Sequence, residues 1–144
     1  GGGRVSKDAF EQFLCGVACN LSIQKLCFCG CPFFGGEIFS ILAPLFKNNN
    51  FECLEIKGCE FGRDDISSLS SAMSAVDSSK MKLILNNIGI ERDAFDALSQ
   101  SFLQNPNSKL SVLDLTRNYI DDETAAILAT GLTGNSTLLE LDLK

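Results

Sequence analysis

The chain contains no histidine, which removes His-based triads, His-ligated metals and histidine pH switching from these residues. No apolar run approaches the roughly 18 residues that a membrane-crossing helix needs, and no charged-then-apolar leader opens the sequence. A basic stripe, the electrostatic footprint of nucleic-acid or anionic-membrane binding, is missing as well. Twelve Lys and Arg stand against eighteen Asp and Glu, a formal charge of −6, so a basic or neutral protein is the more natural partner. The stretch from Gly131 to Thr137 lacks the Gly-Lys pair of a phosphate loop and precedes a strand rather than a helix. No residue stands out as a catalyst, so no enzymatic activity, no metal and no cofactor is expected.

What is present is a repeat. Leu110, Leu113, Leu115, Asn118 and Ile120 form a skeleton that recurs as Ile23, Leu26, Phe28, Cys31, Phe33, as Phe51, Leu54, Ile56, Cys59, Phe61, as Leu83, Leu85, Ile88, Ile90, and as Leu138, Leu141, Leu143. After each strand skeleton comes an apolar set at helical spacing: Ile38, Ile41, Leu45, then Ile66, Leu69, Met73, then Phe95, Leu98, Phe102, then Ala125, Leu128, Leu132. The units run over 23–50, 51–79, 80–109 and 110–137, with partial units at 5–20 and 138–144. In the third unit Lys80 takes the first apolar position, so that unit is either distorted or completed by Met81. Pro44 falls inside a helix pattern and should kink or shorten it.

The pattern L-x-x-L-x-L-x-x-N/C-x-L in units of this length resembles the leucine-rich repeat, in its long, ribonuclease-inhibitor-like subclass. The resemblance spans essentially the whole chain and implies one α/β domain over 1–144: a right-handed solenoid with a parallel sheet on its concave face and helices on its convex face. It leaves function broad, because this subclass resembles inhibitors, immune sensors, GTPase regulators, actin regulators and scaffolds alike. Acids such as Asp8, Glu37, Asp64, Asp65, Glu91, Asp93, Asp121, Asp122 and Glu123 cluster where helices should begin, where they cap N–H groups and complement the helix dipole. Neither end carries a polar cap, so an internal stretch of a longer array, or ends covered by other chains, is expected. Gly1 to Arg4 reads as a linker-like start outside the repeat. Lys47–Asn50, Asp77–Lys80, Gln104–Ser108 and Thr133–Ser136 read as turn-rich returns, and the glycosylation-like Asn20 and Asn135 fit turn chemistry better than modification.

Strand alternation sends one row of each strand inward and the other outward. The outward row reads Lys25, Cys27, Cys29; Cys53, Glu55, Lys57; Lys82, Ile84, Asn86; Val112, Asp114, Thr116; Glu140, Asp142, Lys144. This face is the expected site of protein binding, either as a scaffold segment or, by the resemblance, as part of a small-GTPase regulator or immune sensor. Cys31 and Cys59 take the Asn-equivalent position, where they should be buried as small hydrophobes. Cys27, Cys29 and Cys53 are the one cluster with a rival metal or redox reading, weakened because side chains two apart on a flat strand diverge. An odd count of seven cysteines without a secreted framework implies reduced thiols in an intracellular compartment, with the cytoplasm the expected one.

Overall fold

A computed structural model describes residues 5–31, 35–74 and 81–144. Five strands and five helices alternate along the chain: α1 (Lys7–Ala18), β1 (Lys25–Cys29), α2 (Gly36–Phe46), β2 (Cys53–Lys57), α3 (Arg63–Met73), β3 (Met81–Asn86), α4 (Arg92–Leu98), β4 (Leu110–Asp114), α5 (Asp122–Leu132) and β5 (Glu140–Asp142). The strands form one parallel sheet in sequence order, and the helices pack in a second layer beside it. Cross-strand partners are equivalent positions of successive units, Leu26 with Leu54, Leu54 with Leu83, Leu83 with Leu113 and Leu113 with Leu141. Equivalent strand positions are therefore in register. Phe33, the return at 77–80 and Gly1 to Arg4 lie outside the described residues.

Inward positions of the strands meet the apolar stripes of the helices. Leu54, Ile56, Leu83, Leu85, Leu113 and Leu115 are fully buried, as are Leu42, Leu45, Ile66, Leu69, Phe95 and Leu98 on the helices. Each such side chain contributes about 1.5–3 kcal/mol of transfer free energy. Phe39 and Phe61 add an edge-to-face contact between neighbouring units at 5.8 Å.

In the third unit, Met81 is buried and pairs with Leu110. It supplies the apolar anchor from one position later, and the slack appears as a register shift between Met81 and Lys82. Ser111, opposite that shift, is buried and donates its hydroxyl to the Met81 carbonyl at 3.2 Å. Pro44 sits in the last turn of α2, and the helix ends at Phe46. In the last helix, Ala125 is exposed and Thr124 is buried in its place, which corrects the expected core set by one residue. Asp121 fixes that phase: its carboxylate accepts from the Thr124 N–H at 2.9 Å while the Thr124 hydroxyl accepts from the Asp121 N–H at 2.9 Å, a reciprocal cap. Of the other acids, Asp65 accepts from the Gly62 N–H at 2.8 Å; Glu91 stands at the N-cap of α4 without a side-chain cap bond.

Each of the first four strands leaves the sheet through a left-handed residue just before the Asn-equivalent position: Gly30 (φ 61°), Gly58 (62°), Asn87 (51°) and Arg117 (62°). Their N–H groups donate to Lys57, Asn86, Thr116 and Lys144 carbonyls at 2.9, 3.1, 3.1 and 2.8 Å, so the turns are tied unit to unit. Residues at the next position strengthen the tie. Cys59 Sγ accepts from the Cys31 N–H at 3.3 Å and donates to the Lys57 carbonyl at 3.4 Å. Asn118 donates to the Leu85 and Leu115 carbonyls at 2.6 and 3.0 Å and accepts from the Ile88 N–H at 3.0 Å. Cys59 is buried as expected, whereas Cys31, in the first unit, is only half-buried.

Candidate protein-binding face

The strand register assembles the outward residues into rows across the sheet. Lys25, Cys53, Lys82, Val112 and Glu140 lie in one row, and Cys27, Glu55, Ile84, Asp114 and Asp142 in the next. Cys29, Lys57 and Asn86 begin a third row, with Thr116 following β4. Lys25, Cys27, Cys29, Lys82 and Glu140 are exposed; Lys57, Ile84, Asn86, Val112, Asp114, Thr116 and Asp142 are half-buried.

Two members of the row are not the open surface residues that alternation implied. Cys53 is 8% and Glu55 6% exposed. Glu55 is covered by the lysines it binds: Lys25 Nζ lies 3.0 Å from one carboxylate oxygen and Lys57 Nζ 2.7 Å from the other. Burial alone would raise the Glu55 pKa, but hydrogen bonds and charge attraction from Lys57 and Lys25 outweigh it and hold the carboxyl below its ordinary range. Both lysines are raised, first by their hydrogen bonds to Glu55. The arrangement pins two long side chains of one sign on a rigid sheet.

Burial pushes the Cys27 and Cys53 thiols up, which disfavours the thiolate that nucleophilic or metal chemistry needs. Among the described residues, no group of three or more Cys, Asp or Glu side chains comes together in a way that could hold a metal ion. Toward β4 and β5 the face turns acidic with Asp114, Glu140 and Asp142, and Asp114 accepts hydrogen bonds from both the Thr116 N–H and the Thr116 hydroxyl.

Arg117 and Tyr119, at the rim where β4 leaves the sheet, were not singled out by strand alternation. Both are exposed, Tyr119 to 82%, and Arg117 makes no ion pair among the described residues. A signal for this position exists in the sequence: Gly30, Gly58 and Asn87 recur just before the Asn-equivalent residue, which makes Arg117 the exception. Asn20 and Asn135 are turn residues as expected. Asn20 accepts from the Ser22 and Ile23 N–H groups, and Asn135 accepts from Thr137 and Leu138 while donating to the Leu103 carbonyl.

No family model matches the chain. Protein CARMIL of Dictyostelium discoideum is 25% identical over 108 residues, 72% of this chain and 10% of that protein. The NACHT, LRR and PYD domains-containing protein 5 of Mus musculus is 27% identical over 122 residues, 84% of this chain and 10% of that protein. The matches thus span about a tenth of these curated relatives. Among solved structures, actin-binding site 2 of leiomodin-1 superposes with a TM-score of 0.72 at 16% identity, covering 98% of this chain and 81% of that one. The tropomodulin C-terminal domain of Caenorhabditis elegans gives 0.68 at 8% identity, covering 93% and 82%. With one parallel strand and one helix per unit, a common register and these likenesses, the fold of the chain is that of a leucine-rich repeat.

Proposed function

We propose that this chain is a protein-binding segment that docks its partner on the concave sheet, in the manner of a scaffold rather than an enzyme, and that its repeats are of the ribonuclease-inhibitor-like subclass. The observation that carries the reading is the grid itself. Side chains of both signs are fixed on a sheet whose geometry is set by the core, so association costs little ordering entropy. Glu55 spends its buried carboxylate on placing Lys25 and Lys57, a use of charge that a merely solvated face does not call for. No helix among the described residues is long and apolar enough to cross a membrane.

Actin is the first partner to test, because the leiomodin-1 structure is described as an actin-binding site. Titration of monomeric actin with the wild-type chain, and with a chain carrying Lys57→Glu, Lys82→Glu and Asp114→Lys, reads both partner and face. Binding that the reversal weakens at least about tenfold supports the reading. Binding untouched by the reversal removes the concave sheet as the site. A second reading, the repeat segment of a multidomain sensor, draws on the match to the NACHT-containing protein, and a nucleotide-binding domain on the same polypeptide would favour it.

A further inference from the structure

Four successive turns place a left-handed residue just before the Asn-equivalent position, and three of them fill it with residues that tolerate it, Gly30, Gly58 and Asn87. The fourth uses Arg117 at φ 62°, a conformation that L side chains rarely adopt. Two positions on, where the second and third units carry Glu60 and Gly89, this unit carries the chain's one tyrosine, Tyr119, 82% exposed. Between them Asn118 is tied by three hydrogen bonds to the backbone of its own and the preceding unit, and the Arg117 N–H is tied to Lys144. The backbone that carries the two large side chains is therefore locked, while the side chains themselves stand in solvent. Backbone strain held in place by surrounding bonds, carrying exposed residues of two of the three types enriched at interface hot spots, points to recognition rather than to folding.

We propose that Arg117 and Tyr119 are the specificity-determining anchor of the protein-binding face. The occupant is an extended protein segment that sets a carboxylate against the Arg117 guanidinium, an apolar side chain against the Tyr119 ring, and basic side chains over Asp114, Glu140 and Asp142. The charge layout argues for this order. Arg117 has no carboxylate partner among the described residues, whereas the neighbouring end of the sheet carries Asp114, Glu140 and Asp142 against the one cation Lys144. A uniformly anionic ligand such as nucleic acid would gain at Arg117 and be repelled by the three acids beside it. The first lysines of the face are already engaged with Glu55, so they compete less well for a partner's acid. This inference rests on the protein-binding reading and adds the partner's chemistry to it.

The test uses two fluorescein-labelled dodecapeptides, one with a Glu-Phe pair followed by a run of lysines, the other with a Lys-Phe pair followed by a run of glutamates. Fluorescence anisotropy would be measured with wild type, Arg117→Gly, Tyr119→Ala and the sheet variant Lys82→Glu. The first peptide is expected to bind, the second to bind at least tenfold more weakly, and Arg117→Gly and Tyr119→Ala each to lose about tenfold or more. Arg117→Gly should meanwhile unfold at a higher temperature than wild type, which separates lost recognition from lost structure. Equal affinity for the two peptides, no binding of the first, or binding that both rim variants leave unchanged would overturn the proposal. In the last case, sensitivity to Lys82→Glu would leave the concave-face reading standing without the rim anchor. Loss in the rim variants alone would support the anchor and confine the contact to the Arg117 end of the face, away from Lys82.

Discussion

Glu55 shows how one residue couples the face to the fold. Its pKa lies below the ordinary value of 4.5, so the ionised carboxylate favours the folded chain above that value, and the contribution disappears as pH falls through the lower folded value. Glu55→Gln lacks this dependence. Urea midpoints of wild type and Glu55→Gln should differ most near neutral pH and converge once the pH drops well below 4.5; a gap that stays constant across that window would mean the carboxylate does not titrate with the fold. Residue identity was legible here only in part. Alternation puts Glu55 and Cys53 on the outward row, but the burial of Glu55 comes with two lysine side chains folding onto its carboxylate, a tertiary event without periodicity. Arg117 was legible only by comparing one turn with its three equivalents.

Helix and strand phases were more readable, because Leu, Ile and Phe at repeating intervals leave few alternative registers. The errors fall where a polar residue took a core position. In α5 the Asp121 and Thr124 cap sets the helix phase, so Thr124 is buried where apolar counting chose Ala125; the D-x-x-T spacing carried that information. Helix-to-helix spacing, in contrast, is not written in apolar periodicity. The fourth helix continues as a π-helical turn, Ser99–Leu103, and α5 approaches it so closely that a Cβ on Gly131 would stand 2.3 Å from Ser99 Oγ and 2.8 Å from Leu103 Cβ. Ser99 is itself engaged, donating to the Ile127 carbonyl at 3.2 Å. Gly131→Ala should therefore destabilise by about 1–3 kcal/mol through overpacking, despite the better helix propensity of alanine. Chemical unfolding decides the sign, and an unchanged or higher midpoint would show that the two helices can part at no cost.

For the whole molecule, the sequence foretold the solenoid because the strand pairings repeat one contact between neighbouring units, and a repeated pattern is far more conspicuous than a single one. The partner was not foretold, since partner choice resides in the few positions where units differ, and a single chain offers no second example against which to read them. The turn ties between units have a mechanical meaning. Every strand pair, every left-handed turn from Gly30 to Arg117 and the Asn118 clasp joins residues about one repeat apart. A pull applied along the solenoid axis loads these ties in series, one seam at a time. Stretched in an atomic force microscope, the chain should yield as a sawtooth whose steps each release one repeat, roughly 10 nm of contour at about 3.5 Å per residue, instead of rupturing in a single event.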